Sequence, residues 1–336
     1  MSSPSLSIII VNWNGRRWLE RCLRSLESQT WRDFEVVLVD NASSDDSVEF
    51  VRREFPRTVV VVNSVNLGFA GGNNLGVSRA RGELLLLLNS DTWLEPDLLA
   101  RLTERYRQAK ADVLGVGHMP YNGGRIFNSV RTLDPLGYPV DLEANEANRG
   151  RRFYLNGTCL LFSRELYRET GGLDPNFFMY FEETDWFWRL HLLKKTFACA
   201  EDLAVHHAIA GSTGRGLKYR IFLWRNQNNP QMLLKNYSAA SLFWVMPSYL
   251  AINLVEMACF LTILRPDLTW SYVQGWWFNL IHLRRTLRQR QWVQSRRLVP
   301  DREIFKKMYP GSAKLRHLRS FISASLRGRR PGAVPV

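Results

Sequence analysis

The fold is decided by the stretch ELLLLLNSD at residues 83–91. Its five consecutive leucines do not alternate with polar residues, which is typical of a strand buried on both faces in a parallel sheet covered by helices. The run ends in Asn89, Ser90 and Asp91, so polar oxygens lie at the carboxyl end of a central strand, where open α/β sheets bind ligands. Asp91 can hold a divalent cation and, through it, a diphosphate. The same residues also suit an ordinary turn after a strand.

Strand and helix patterns alternate on the amino-terminal side of this stretch. Apolar runs predict strands at 6–11, 34–39 and 58–62, and apolar residues at helical spacing predict a helix after the first. A further buried strand is predicted at 158–163. This alternation predicts an α/β fold with a doubly wound, mostly parallel sheet. Neither GxGxxG after the first strand nor GxxxxGK[ST] occurs, which disfavours a dinucleotide dehydrogenase and a P-loop NTPase.

The charge of the chain is unevenly distributed. The 336 residues carry a net charge of +14, and residues 265–336 hold 16 Lys/Arg against 3 Asp/Glu. Such a basic region favours an anionic lipid surface, a nucleic acid or another polyanion. The four cysteines are far apart in sequence, which predicts free thiols in a reducing compartment. Residues 1–5 lead directly into the first strand and do not have the pattern of a signal peptide.

Four motifs occur in a fixed order: SIIIVNWN, VDNASSDDS, NLGFAGGNNLGVSRARGE and LLLLLNSD. Over roughly residues 6–235 the chain resembles inverting family 2 glycosyltransferases of the GT-A fold, on the rhamnosyltransferase-like branch. The resemblance implies an enzyme that uses a nucleotide-diphosphate sugar and a divalent cation, Mn²⁺ or Mg²⁺. Asn89-Ser90-Asp91 stands where the family has Asp-x-Asp, which leaves Asp91 as the strong metal ligand and Asn89 and Ser90 beside the donor.

The resemblance also implies the residues that bind the donor. Val11 and Trp13 are expected to line the nucleobase pocket, and Asp40 to accept a hydrogen bond from the base or the ribose. An Asx-turn is the alternative role for Asp40. The other expected donor residues are Asn66, Gly68 and Asn74. Asn66 and Asn74 could instead be turn and cap residues.

A second cluster of carboxylates follows at Glu182, Glu183 and Asp185, at the predicted start of a helix and among aromatic residues. The family pattern here is Glu-Asp-x-Asp, and its second member, the catalytic base, corresponds to Glu183. We group Asp185 with it as catalytic. Aromatic residues suit carbohydrate stacking, so Trp186 and Glu182 are expected to contact the acceptor. The alternative is a helix N-terminus that is rich in acids for electrostatic reasons only.

Residues 204–207, predicted to follow a strand, end in two histidines. The family places a metal-binding histidine five residues before a serine, which selects His207 and leaves His206 as the rival. In the glycine-rich segment at 211–216, Arg215 is expected to pair with the diphosphate.

The predicted domains are a GT-A catalytic domain at 1–235, a helical, membrane-associating basic extension at 236–326 and a disordered tail at 327–336. Residues 239–264 are about long enough to cross a bilayer. A single crossing would put the basic region outside, against the positive-inside rule, so an interfacial or re-entrant arrangement is favoured. A helical subdomain packed on the catalytic core is the other possibility.

The hypothesis is therefore transfer of a sugar, from dTDP-rhamnose or a UDP-sugar, to a saccharide acceptor that is polyprenyl-linked. The setting would be bacterial cell-envelope polysaccharide synthesis at the cytoplasmic face of the inner membrane, with peripheral or monotopic attachment. A homo-oligomer is left open. The alternatives are a degenerate non-catalytic GT-A scaffold and a basic nucleic-acid-binding protein. The second lacks an RNA-binding motif, so nucleic acid is not expected as a partner.

Overall fold

The computed structural model describes residues 3–141, 150–208 and 218–316. These residues fall into two compact units, one within Met1–Val130 and Leu155–Gly214, the other within Arg131–Tyr154 and Arg215–Val336. The strands are β1 (Leu6–Asn12), β2 (Phe34–Asp40), β3 (Val59–Val62), β4 (Leu84–Asn89), β5 (Thr92–Trp93), β6 (Val113–Pro120), β7 (Val130–Leu133), β8 (Pro139–Asp141), β9 (Tyr154–Leu155), β10 (Cys159–Ser163) and β11 (Phe197–His207).

The helices are divided between the two units. In the first unit they are α1 (Arg16–Glu27), α2 (Ser47–Glu54), α3 (Gly68–Arg79), α4 (Leu98–Gln108), α5 (Arg164–Glu169) and α6 (Glu182–Leu192). In the second unit they are α7 (Lys218–Asn236), α8 (Ala239–Thr262), α9 (Pro266–Ile281), α10 (Leu283–Arg296) and α11 (Asp301–Lys307).

The first unit is built on an eight-stranded sheet in the order β3-β2-β1-β4-β10-β6-β11-β5. Strands β3, β2, β1 and β4 are mutually parallel, as are β6 and β11. Strand β10 runs antiparallel to both β4 and β6, and β5 runs antiparallel to β11. The sheet is therefore mixed, and the predicted α/β architecture is confirmed. A smaller sheet has the order β8-β7-β9.

The five-leucine strand is buried on both faces, as predicted. Leu86 and Leu88 join a core cluster that includes residues of α1, α2 and α4. Leu85 and Leu87 point to the opposite face and are also buried. Burial of this run on both sides gives β4 the central position at which its polar end can serve a site.

Helix α3 was not predicted, because its sequence GFAGGNNLGVSR is rich in glycine, a poor helix former. The glycines let the helix approach the sheet closely. A Cβ atom added at Gly76 would lie 2.4 Å from Cγ2 of Ile9, and one added at Gly72 would lie 2.7 Å from Cγ1 of Val11. Close packing against β1 therefore outweighs the low intrinsic helix propensity.

The predicted end of one strand, β11, is corrected by the structure. Residues 204–207 do not follow a strand but form its last part, since β11 continues to His207. The pairing of β11 with β6 shifts register between Ala200 and Ala204, and this irregularity interrupts the apolar pattern from which a strand is recognised.

Candidate active site

The carboxyl ends of β1 and β2 form one part of the site. Asn12 and Asp40 are paired in register, and Asn12 Nδ2 donates to Asp40 Oδ1 at 3.0 Å. Ser43 donates from its hydroxyl to the same oxygen at 2.6 Å and from its backbone N–H to Oδ2 at 2.9 Å. The buried Asp40 carboxylate thus makes the Asx-type turn that was its alternative role, and it still lies at the sheet edge. Asn12 and Ser43, which the sequence analysis did not single out, hold it there.

Beside this turn lies a cavity of about 390 Å³ that could receive part of a nucleotide. It lies within the first unit, between the ends of β2 and β3 and helix α2. Its lining includes Asp40, Ser43, Asp45, Arg52 and Asn63. Val11 and Trp13, the other predicted nucleobase contacts, are half-buried at the end of β1.

The turn that opens α3 is fixed by two amides. Asn66 Oδ1 accepts from the backbone N–H of Gly68 at 2.8 Å, and Asn41 Nδ2 donates to the Gly68 carbonyl at 2.9 Å. Gly68 has φ +71°, and a Cβ atom there would lie 2.1 Å from the carbonyl oxygen of Phe178. Only glycine fits this position, which brings the loop before α6 against α3.

The Asn74 side chain forms hydrogen bonds at both ends of its amide. Its Nδ2 donates to the Leu173 carbonyl at 2.8 Å, and its Oδ1 accepts from the Tyr167 hydroxyl at 2.6 Å. Both ends of the amide are therefore engaged within the protein. This geometry ties α3 to the segment before α6, and the predicted donor contact stays a prediction.

The end of β4 brings Asp91 against His207. Nε2 of His207 lies 3.2 Å from Oδ1 of Asp91, and both side chains are largely buried. His206 is directed elsewhere: its ring stacks on Trp93 with 3.5 Å between centroids, and its Nε2 lies 3.0 Å from Oε1 of Glu95. Of the two histidines, the structure therefore brings His207 to Asp91.

Asp91 and His207 together offer a carboxylate oxygen and an imidazole nitrogen, which suit Mn²⁺. No group of three or more His, Cys, Asp or Glu side chains that could hold a metal ion occurs within 3–141, 150–208 and 218–316. The pair fits a cation that takes its remaining ligands from a bound diphosphate and water, as Mg²⁺ sites on phosphate substrates do. Asn89 and Ser90 are half-buried beside this pair in the chain.

The three carboxylates at the start of α6 differ in exposure. Glu182 and Asp185 are buried, whereas Glu183 is partly exposed. Asp185 Oδ2 accepts from Arg189 Nε at 3.1 Å, and Arg189 Nη2 donates to the Gly172 carbonyl at 2.6 Å. Asp185 is thus held in a buried ion pair, which does not agree with direct contact between its carboxylate and a substrate.

The backbone in front of these carboxylates is strained. Tyr180 and Phe181 both have φ +71°, in the left-handed region that non-glycine residues rarely adopt. Two such residues in succession, held by the Gly68–Phe178 packing, direct the first turn of α6. Strain of this kind is concentrated at functional sites.

Glu182 and Trp186 do not present side chains to solvent. Burial raises the pKa of Glu182 well above its usual range, and the negative charge of Glu183 raises it further. Trp186 is fully buried, and its indole N–H donates to the Thr170 hydroxyl at 2.8 Å. This burial does not agree with the prediction that both side chains contact the acceptor. The Trp186 ring packs inside the protein against Phe162, Tyr167 and Phe187.

The segment before β10 lies beside both the end of β4 and the start of α6. The Asn89 N–H donates to the Thr158 carbonyl at 3.0 Å, and the neighbouring Gly157 lies beside Glu183, since a Cβ atom added there would be 3.9 Å from Cβ of Glu183. The first unit therefore joins the polar end of its central strand to its partly exposed carboxylate. Arg215 lies outside the described residues.

The glycosyl transferase family 2 model matches residues 7–171, which is just under half of the chain. The matched region includes the turn at Asp40 and the polar end of β4 at Asp91. The chain carries a family 2 glycosyltransferase domain. Among relatives, an uncharacterized glycosyltransferase of Nostoc sp. is 34% identical over 116 residues, 34% of this chain and 35% of that protein. The low-salt glycan biosynthesis hexosyltransferase Agl10 of Haloferax volcanii is 25% identical over 238 residues, 66% of this chain and 74% of that protein.

Solved structures with the same fold extend the comparison beyond residues 7–171. S. aureus TarS 1–349 in complex with UDP-GlcNAc has a TM-score of 0.54 at 15% identity, covering 97% of this chain and 93% of that one. The mannosyltransferase PcManGT from Pyrobaculum calidifontis, in complex with GDP-Man and Mn²⁺, has a TM-score of 0.51 at 16% identity, covering 87% and 88%. The fold is therefore that of GT-A glycosyltransferases. The match to the Nostoc protein spans about a third of that relative's length.

Proposed function

We propose that this glycosyltransferase transfers a sugar with inversion from a nucleotide-diphosphate donor to a hydroxyl of a saccharide acceptor. The ordered motifs of the first unit and the cavity beside Asp40 support a nucleotide-sugar donor. TarS and PcManGT, which share the fold, hold UDP-GlcNAc and GDP-Man. The motif resemblance to the rhamnosyltransferase-like branch favours dTDP-rhamnose or a UDP-sugar.

The observation that carries the proposal is the difference in exposure at the start of α6. Of its three acidic residues, Asp185 forms a buried ion pair with Arg189 and Glu182 is buried. Glu183 is half-buried beside Gly157, with its Oε2 buried. A general base must reach the proton that it removes. Glu183 is the least buried of the three side chains, which favours it as the base.

The reaction follows from this placement. The Glu183 carboxylate takes the proton of the acceptor hydroxyl as the hydroxyl oxygen attacks the anomeric carbon of the sugar. The bond from that carbon to the diphosphate oxygen breaks on the opposite face, and the nucleoside diphosphate leaves with the electron pair. Attack from the opposite face inverts the configuration at the anomeric carbon.

Asp91 and His207 would hold a divalent cation, Mn²⁺ or Mg²⁺, together with the donor. PcManGT carries Mn²⁺ in the same fold. When bound, the cation would offset the charge that develops on the leaving diphosphate. Asp40 would bind the base or ribose of the donor, since its carboxylate stays at the sheet edge.

The acceptor we propose is a polyprenyl-linked saccharide of bacterial cell-envelope polysaccharide synthesis, met at the cytoplasmic face of the inner membrane. The support is the composition of the chain. Among the residues that the structure describes, one helix, α8, is long and apolar enough to cross a membrane, and residues 265–336 are strongly basic. A degenerate scaffold without activity is the alternative that turnover would exclude.

The test uses the full chain in detergent with a panel of nucleotide sugars, with and without Mn²⁺. Binding is measured by thermal shift and turnover by release of nucleoside diphosphate. The variant Glu183→Gln is expected to lose at least ~100-fold in kcat while it still binds donor, because general-base catalysis contributes roughly 10²–10⁴-fold. Asp91→Asn is expected to lose the Mn²⁺-dependent part of donor binding.

Glu165→Gln is the matched control, because Glu165 is an exposed acidic residue at the start of another helix, α5. It should leave kcat and donor binding unchanged. Equal turnover in Glu183→Gln and the wild type would disprove the assignment of the base. Absence of donor binding and of turnover throughout the panel, in a folded sample, would favour the scaffold.

A further inference from the structure

Helix α8 has an exposed apolar face that no residue of the described structure covers. In its most apolar 18-residue window only 22% of the helix is buried. The large side chains of this face are Phe243, Trp244, Leu250, Leu254, Val255 and Leu261. A core helix of a soluble domain would be mostly buried, so this face has the composition of a surface that contacts another apolar phase.

The neighbouring helix α9 continues this surface. It exposes Trp270, Val273, Trp277 and Leu280, which recur at helical spacing along one side. The two helices are linked where the Thr269 hydroxyl donates to the Met257 carbonyl at 3.1 Å. The turn between them is also apolar and exposed, with Ile263 and Leu264 at its tip. Tryptophan is the side chain most typical of a membrane–water interface.

The opposite face of α8 is polar and buried inside the second unit. Lys314 Nζ donates to Asn253 Oδ1 at 2.5 Å and to the Tyr272 hydroxyl at 2.6 Å, and it forms an ion pair with Glu256. The Tyr138 hydroxyl also donates to Asn253 Oδ1, at 2.8 Å. This network joins α8 to β7–β8, α9 and the segment after α11.

These two faces decide how α8 can meet a bilayer. If α8 crossed the hydrocarbon, Asn253, Glu256 and Lys314 would have to enter it, and buried charges of this kind are costly in lipid. If α8 lies parallel to the membrane plane, its apolar face enters the lipid and the polar network stays within the protein. Length and hydropathy alone do not separate these cases, whereas the contacts favour the second.

Charge next to the apolar surface indicates which membrane it fits. Helix α10 exposes Leu283 and Leu287 one turn apart, and exposes Arg284 and Arg288 directly beside them. Arg296 is exposed at the end of the same helix. Arginine next to exposed leucine is the pattern of helices that lie on anionic lipid, where the apolar groups insert and the cations meet the headgroups.

We propose that the exposed faces of α8 and α9, flanked by the arginines of α10, form a monotopic membrane-binding surface that inserts into the headgroup region of an anionic phospholipid leaflet. Helix α8 then lies in the membrane plane. This inference rests on the second unit alone and holds whether or not the proposed donor chemistry is correct.

The first test measures flotation of the full chain with vesicles of phosphatidylcholine, with and without phosphatidylglycerol. The wild type should bind the anionic vesicles. The double variant Leu254→Glu/Trp277→Glu should bind at least ~10-fold more weakly, because the two changes together remove apolar area whose insertion is worth more than a factor of ten. Arg284→Gln/Arg288→Gln should weaken binding only to the anionic vesicles, roughly fivefold for each charge.

Val65→Glu is the matched control, because Val65 is an exposed apolar residue in the other unit. It should bind vesicles like the wild type. If Leu254→Glu/Trp277→Glu binds vesicles normally but converts a dimer to a monomer in sedimentation, the surface covers a second copy and the proposal fails. Equal binding of the wild type to neutral and anionic vesicles would overturn the role of the arginines.

The second test separates an in-plane helix from a crossing one. Cysteines introduced one at a time at positions 243, 254 and 261 carry an environment-sensitive fluorophore. The background has Cys199 and Cys259 replaced by serine and keeps the buried Cys22 and Cys159. Quenching by lipids labelled at different depths reports the position of each label. An in-plane α8 gives three similar, shallow depths, whereas a helix that crosses gives the greatest depth at the central position and overturns the proposal.

Discussion

At the scale of single residues, the pair Glu182–Glu183 shows how environment separates two identical side chains. They are adjacent in the chain, yet Glu182 is buried and Glu183 is partly exposed. Oε2 is buried in both residues, so the difference in exposure lies in the rest of the two side chains. Burial, and then the charge of Glu183, raise the pKa of Glu182, so it holds a proton to higher pH than an ordinary glutamate.

A pH dependence of stability follows from this residue. A raised folded-state pKa contributes stability that is fully present below the unfolded pKa and is lost as the pH rises through the folded pKa. Glu182→Gln, which resembles the protonated side chain, should therefore lose less stability than the wild type as the pH is raised above the ordinary glutamate range. The measurement is the free energy of unfolding in urea as a function of pH. Parallel curves for the two proteins would contradict the prediction, and Glu165→Gln should follow the wild type.

At the scale of elements, the start of α3 positions the loop that leads into α6. The Phe69 N–H donates to the Phe178 carbonyl at 2.7 Å, and Gly68 leaves room for that carbonyl. The strained pair Tyr180–Phe181 follows directly. The conformation that presents Glu183 thus depends on a glycine more than 100 positions earlier in the chain.

This dependence predicts unequal costs for two glycine substitutions. Gly123 also has a positive φ, +91°, but a Cβ atom there would meet no atom within 4 Å. Gly123→Ala should cost only the left-handed strain, about 1–2 kcal/mol. Gly68→Ala should cost more, because its Cβ also displaces the Phe178 carbonyl, and it should lower kcat as Glu183 moves. Unfolding in urea measures both costs. Equal values for the two variants would show that the Phe178 contact yields freely.

At the scale of the whole molecule, charge and apolar exposure are concentrated in the same part of the sequence. Residues 1–264 carry 29 Lys/Arg against 28 Asp/Glu, whereas residues 265–336 carry 16 against 3. Exposed tryptophan and leucine side chains of α9 and α10 lie in this basic part. A purely electrostatic binder of nucleic acid would not need them.

Extraction from membranes tests this distinction. At about 1 M salt the Debye length falls to ~3 Å, so contacts that are only electrostatic are lost. The full chain should stay in the membrane pellet of expressing cells in high salt and leave it in mild detergent. Release by salt alone, together with nucleic acid, would instead favour the nucleic-acid-binding alternative, whose affinity falls steeply with salt.

The sequence by itself determined the α/β class and the central strand, because these depend on local apolar runs. The family resemblance, carried by the order of the motifs, implied Glu183 as the base and His207 as the metal ligand, and both roles stay predictions. Helix α3 escaped prediction because packing against β1 overrides the poor helix propensity of glycine.

Only the tertiary structure decided which side chains are buried and which are exposed. A cluster of acidic and aromatic residues suits a substrate surface, yet the fold buries three of its members, Glu182, Asp185 and Trp186. The pairing of Asp91 with His207, the support of Asp40 by Asn12 and Ser43, and the burial of the polar face of α8 against Lys314 join segments distant in sequence. Exposure depends on what the rest of the chain places opposite a side chain, and a local pattern does not contain that information.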